Sequence, residues 1–183
     1  MNMCKLTVNV GPMFSGKTTA LQQQGTKHLT AKQNVVFLKP EIDSRYSYDK
    51  IVSHDGISVE AINVTNTILI EEVMAADIVL IDEVQFLSLA IVDEVLQLLE
   101  LGKTIYCSGL DLDHLMQGFE VTMELMAIAN KVNKFSAICE YCGKEATITG
   151  KKYNNENIIE LGSSDVYYPL CRSCYLTINK QRG

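Results

Sequence analysis

Through residues 1–134, short unbroken apolar runs alternate with longer stretches whose apolar positions recur at helical spacing. Runs of the first kind suit strands buried on both faces, and the stretches between them suit crossover helices, so the pattern predicts a parallel sheet. Strands are expected at residues 3–10, 34–39, 78–82, 104–108 and near Val132, and helices at 17–33, 68–75, 89–101 and 120–130. The helix from Leu89 shows the period well, with Val92, Val95, Leu96 and Leu99 expected to face a core. From Phe135 the texture changes. Short β-like runs at 146–149 and 158–161 sit among Gly, Asn and Ser clusters, which marks a second, smaller unit. The expected fold is therefore α/β, with residues 1–134 as the main domain and 135–183 as an appendage.

Composition narrows the function. At 183 residues with 47% apolar and 21% charged side chains, the chain is neither disordered nor fibrous. No apolar run reaches the roughly 18–20 residues that cross a bilayer, and no secretion signal opens the chain, so a cytoplasmic protein is expected. The net charge is −6, and the acids concentrate in the first unit: 10 basic and 17 acidic residues before Phe135, 6 and 5 from it onward. Nucleic acids and anionic membranes are bound chiefly through cationic side chains, so neither is an expected partner. A small molecule fits better.

Gly11-Pro12-Met13-Phe14-Ser15-Gly16-Lys17-Thr18 matches G-x-x-x-x-G-K-[ST] between a predicted strand and a predicted helix. A loop in that place aims successive backbone N–H groups, and the positive end of a helix, at phosphate oxygens. Lys17 would neutralise the β- and γ-phosphates of ATP, and the Thr18 hydroxyl would ligate Mg²⁺. Ile78-Val79-Leu80-Ile81-Asp82-Glu83 is an apolar strand ending in two acids. Asp82 would hold the Mg²⁺ through water or Thr18. Glu83 is then free to act on a nucleophile, either a water, as in an ATPase, or a substrate hydroxyl, as in a kinase.

Six cysteines divide unevenly. Cys4 and Cys107 lie in apolar runs and read as core filler. Cys139-x-x-Cys142 and Cys171-x-x-Cys174 are two knuckle-spaced pairs that suit a closed, structural Zn²⁺ site, with a redox pair or unrelated buried thiols as the alternatives. The 28 residues between the pairs exceed the usual spacing of a zinc ribbon, which implies an excursion with a role of its own. A unit of 49 residues also needs such a staple.

With these three features in one short chain, the sequence resembles the thymidine kinases of the small, zinc-containing type. The resemblance runs from about Met3 to Tyr175 and rests on the phosphate loop, Asp43-Ser44-Arg45-Tyr46, His54-Asp55, Ile81-Asp82-Glu83-Val84-Gln85-Phe86, Gly109-Leu110-Asp111-Leu112-Asp113 and Tyr167-Tyr168-Pro169-Leu170-Cys171-Arg172. It implies a RecA-like P-loop domain and a zinc-held segment whose lasso loop closes over a deoxynucleoside, thymidine above all. It implies that Glu83 is the base for the 5′-hydroxyl, and that Asp43, Arg45 and Gln85 accompany Asp82 near the metal and the transferring phosphate. Met13, Phe86, Leu110, Phe119, Thr149 and Tyr167 would line the base or sugar pocket. Backbone groups of Ile158, Ile159, Glu160, Leu161 and Gly162 would bind the pyrimidine. A homotetramer, and inhibition by thymidine triphosphate, are implied in the same way.

One departure concerns the nucleoside pocket. Where the family usually has a Phe that packs on thymine and, further on, a Pro before the next Phe, this chain has His114 and Gly118. An imidazole can still stack, with less apolar area and a proton that titrates near neutrality. Two rival readings remain at this stage: a RecA-like ATPase that binds nucleic acid, and a nucleotide-binding zinc protein that has lost catalysis.

Overall fold

The computed structural model describes residues 4–42, 50–52, 58–152 and 165–182. In chain order the elements are β1 (Lys5–Val10), α1 (Lys17–Thr30), β2 (Val35–Pro40), β3 (Lys50–Val52), β4 (Ser58–Glu60), β5 (Ile62–Val64), α2 (Glu71–Ala75), β6 (Ile78–Ile81), α3 (Ile91–Glu100), β7 (Thr104–Gly109), α4 (Glu120–Ile128), β8 (Lys131–Lys134), β9 (Ala137–Ile138), β10 (Glu145–Ala146), β11 (Ile148–Lys151), β12 (Tyr167–Leu170) and α5 (Arg172–Arg182). Among them, β5-β2-β6-β7-β1-β8 form one sheet in which every pairing is parallel. The predicted strands and helices of the first 134 residues are all present, with shifted ends. Lys32, held at φ 58°, closes α1 three residues before the expected end.

Alternation along each strand sends side chains to two cores. On one face Val8, Val10, Leu38, Val79, Ile81 and Cys107 pack with Val95 and Leu98 of α3 and Leu125 of α4. On the other, Phe37 and Leu80 pack with Leu21 of α1 and Ile51 of β3. Gly25 lets α1 come down on the sheet, since a Cβ there would lie 2.2 Å from the Phe37 ring. Two expectations fail. Leu96 is 40% exposed, because α3 seats the stripe Ile91, Val95 and Leu98 instead. Cys4 is exposed because it precedes β1 and reaches neither core, whereas Cys107 is buried as expected.

Beyond Phe135, β9 pairs with β10 and β11 with β12, both antiparallel. The single run expected at 146–149 is two strands, parted at Thr147, and the run expected at 158–161 lies outside the described residues. Ala137, Cys139, Ala146, Ile148, Tyr168, Leu170 and Tyr175 make a separate apolar cluster. No helix among the described residues is long and apolar enough to cross a membrane.

Candidate functional site

In an open parallel sheet, ligands sit beyond the carboxyl ends of the strands, and the predicted residues gather there. Strand β1 runs out at Val10 into the glycine loop, and α1 begins at Lys17 with Gly16 as its cap. Three residues of the loop take positive φ: Gly11 at 143°, Phe14 at 64° and Gly16 at 83°. A Cβ on Gly11 would stand 2.4 Å from the Phe135 carbonyl oxygen, so only glycine passes there. No side chain caps α1 and no acid stands in its first turn, which leaves its leading N–H groups and positive dipole to an anion. Lys17 is buried along the loop, its Nζ donating to Pro12 O at 2.7 Å, and Ser15 Oγ donates to the same oxygen at 2.8 Å.

The strand-end acids stand apart in environment. Asp82 is buried: Thr18 Oγ1 donates to its Oδ2 at 3.0 Å, and the Glu83 N–H to its Oδ1 at 3.0 Å. Burial and the neighbouring Glu83 charge push the Asp82 carboxyl up to about 7, against donation from Ser108, Thr18 and the Glu83 amide. A hydroxyl and a carboxylate joined at a helix start are hard oxygen donors of the kind Mg²⁺ takes. Glu83 is held at φ 51°, the left-handed region that a non-glycine residue enters at a cost. The turn Val84–Phe86 follows at once, and Gln85 Nε2 donates to Glu83 Oε2 at 2.5 Å while its Oε1 accepts from the Leu110 N–H at 3.0 Å. Gln85 thus touches the acid and the loop after β7.

That loop is braced by residues the sequence motif contained but did not explain. Asp111 is paired with Lys134 at 2.8 Å, and Asp113 Oδ1 accepts from the N–H groups of Leu115 and Gln117. Phe119 caps α4, its N–H donating to Asp111 O at 3.1 Å. His114 is half-buried, and its carbonyl accepts from Tyr175 Oη at 2.9 Å, which ties the loop to α5. Gly118 is exposed, and a Cβ there would meet Met123 Sδ at 2.3 Å. Thr149 of β11 reaches the phosphate loop directly, Oγ1 accepting from the Met13 N–H at 3.0 Å. Tyr167 is buried opposite Lys151, two register steps from the Thr149–Pro169 pair, and Phe86 is half-buried. Asp43, Arg45, His54, Asp55 and residues 158–162 lie outside the described residues. Ser108, buried beside Asp82, carried no sequence signal.

The four late cysteines converge. The sulfurs of Cys139, Cys142, Cys171 and Cys174 all lie within 4.8 Å of one another, on the β9–β10 knuckle and the start of α5. Gly143, at φ 68°, turns the first knuckle. Burial acts to raise the Cys139 thiol, but the backbone amides of Cys171, Cys142 and Tyr141 bring it down to about 6. The Cys174 amide likewise lowers Cys171, whereas bonds with Cys171 and Cys142 raise Cys174 to about 12. Four thiolates this close repel unless a cation joins them, and the set is soft and tetrahedral in number, as Zn²⁺ requires.

The fold and these contacts define a P-loop nucleoside-triphosphate enzyme, with the loop on β1 and the acids one strand removed, across β7. The chain belongs to the thymidine kinase family, whose model, described as thymidine kinase, matches residues 4–175. The thymidine kinase of Pseudothermotoga lettingae is 38% identical over 174 residues, covering 93% of this chain and 94% of that relative. The thymidine kinase of Choristoneura fumiferana entomopoxvirus is 38% identical over 176 residues, covering 93% and 95%. A solved structure, the replication initiator DnaA bound to AMPPCP and single-stranded DNA, aligns over 73% of this chain and 40% of its own at 14% identity, with a TM-score of 0.46. That likeness is too slight to bear on function.

Proposed function

We propose that this chain transfers the γ-phosphate of ATP to the 5′-hydroxyl of thymidine, giving the monophosphate in nucleotide salvage. The observation that carries the reading is the separation of the two strand-end acids: Asp82 is locked to Thr18, while Glu83 is held by Gln85 against the Leu110 loop. One acid serves the nucleotide side and leaves the other for the acceptor.

The loop amides, the start of α1 and Lys17 bind the triphosphate. Thr18 and Asp82 hold Mg²⁺, which when bound neutralises charge on the phosphates. Glu83 accepts the 5′-hydroxyl proton as that oxygen attacks the γ-phosphorus in line, and ADP leaves. A positioned base typically contributes about 10²–10⁴-fold, part of it by orientation. Met13, Phe86, Leu110, His114, Phe119, Thr149 and Tyr167 surround the nucleoside in this reading. The Thr149 contact with Met13 supports it, because it brings the C-terminal unit onto the loop. Asp43, Arg45 and residues 158–162 keep the roles the family gives them, as do a homotetramer and a cytoplasmic site of action. Residues 1–134 are the ATP-binding domain and 135–183 the zinc-held cover. The ATPase and non-catalytic readings are not favoured, since the relatives that span nearly the whole chain are thymidine kinases.

Purified protein given Mg·ATP and separate nucleosides, with products resolved by ion exchange, tests the proposal. Thymidine monophosphate should form with matching ADP, deoxyuridine should be the next best acceptor, and no DNA-stimulated hydrolysis should appear. ADP release without phosphorylated nucleoside would overturn the reading.

A further inference from the structure

The strand register sets a row of polar side chains across the sheet, just beyond its apolar core. Leu38 pairs with Ile81 and Ile81 with Cys107, which brings Lys39, Asp82 and Ser108 side by side on the next rung. Asn9 completes the row, paired with both Ser108 and Asn133. Phe37 and Leu80, two residues earlier on their strands, pack against Leu21 of α1, so by alternation the row faces the helix that carries Thr18.

Asn9 and Ser108 are both 0% exposed, but their situations differ. Asn9 is satisfied, donating to Gln24 Oε1 at 2.9 Å and accepting from Asn133 Nδ2 at 2.9 Å. Ser108 Oγ is shut off from water and makes no hydrogen bond of full geometry among the described residues. The register nevertheless sets it beside Asp82, one rung beyond the Ile81–Cys107 pair, where a hydroxyl favours the ionised carboxyl. A buried hydroxyl left short of a partner destabilises a fold, so its place on β7 is not explained by stability.

We propose that Ser108 is a positioning residue for Asp82: its hydroxyl donates to that carboxylate and fixes the orientation in which Asp82 and Thr18 meet the cation of the nucleotide. The proposal rests on the reading of Asp82 and Thr18 as the Mg²⁺-holding pair. Thr18 and the Glu83 amide restrain Asp82 from α1 and from its own chain. A third donor from β7, between the acid strand and the loop strand, adds a restraint from a separate element of the sheet.

The test uses the full chain with Ser108→Ala and with Ser108→Thr, which keeps the hydroxyl. ADP affinity is measured calorimetrically with and without Mg²⁺, and the ligand-free melting temperature is recorded. For Ser108→Ala the melting temperature should equal or exceed that of the parent, and metal-free ADP affinity should stay within about twofold. The gain in affinity on adding Mg²⁺ should fall about tenfold, and Ser108→Thr should restore most of it. An unchanged Mg²⁺ gain in Ser108→Ala, or a loss that extends equally to metal-free binding and stability, would overturn the proposal. Asp82→Asn separates the layers. If it leaves the Mg²⁺ gain intact, the reading of Asp82 falls and the proposal with it; if it removes the gain while Ser108→Ala does not, the proposal alone falls.

Discussion

Asp82 and Glu83 are adjacent in sequence and opposite in circumstance, and the backbone makes them so. Strand geometry keeps Asp82 in the sheet and buries it beneath α1, while the left-handed turn at Glu83 swings the next carboxylate out of line. A carboxyl whose native pKa is raised stabilises the fold below its unfolded value near 3.8, and that contribution is lost as pH climbs through about 7. Asp82→Asn carries no charge to bury. It should therefore raise the ligand-free melting temperature at about pH 8, by roughly 2–4 °C per kcal/mol relieved, with the advantage shrinking toward about pH 5. Calorimetric melting across that range checks the sign; a lower midpoint at the alkaline end would contradict it. Mg·ADP should reverse the order, stabilising the parent more at about pH 8 than at about pH 6, because the cation offsets the ionised acid.

At the scale of elements, the central strands β1, β2, β6 and β7 were legible because they are short, mostly buried runs, and the covering helices because they carry their own period. The three-residue strands β3, β4 and β5 were not, since mixed polar runs of that length hold too few positions to show alternation. Strand β12 contains Pro169, which on sequence alone argues against a strand, and α5 is mostly polar, with Cys174, Tyr175 and Ile178 at helical spacing to seat it on the cysteine-side cluster. The site was legible where a motif fixes chemistry, at residues 11–18, at Asp82 and Glu83 and at the four cysteines. Ser108, the Gln85 bridge and the Asp111–Lys134 pair depend on register and loop closure between distant segments, which no local pattern encodes. Zinc is the element-scale prediction. One Zn²⁺ per chain should be found by elemental analysis, and Cys171→Ser should lose it. Thymidine turnover should drop to background as ADP binding survives, since the loop and α1 stand on the other unit. Full activity without zinc would refute a structural role for the metal.

Across the whole molecule, the contacts among the described residues that join the nucleotide-binding end of the sheet to the cysteine-held segment include Thr149 to Met13, Tyr175 to His114, Phe135 continuing from β8 to donate to Val10 O at 2.7 Å, and Met116 packing on the cysteine-side cluster. Such contacts align two cores without merging them, and the nucleoside is read at the junction in the proposed function. What must hold for that arrangement to be a kinase is that Glu83 acts on the acceptor and not on the nucleotide. Glu83→Gln keeps the size of the side chain, so turnover of thymidine and calorimetric affinity for Mg·ADP, measured on the same preparation, decide the matter. The account predicts kcat lower by about 10²–10⁴-fold with ADP affinity within about threefold of the parent. Turnover within about threefold of the parent, or an equal loss in both quantities, would contradict it.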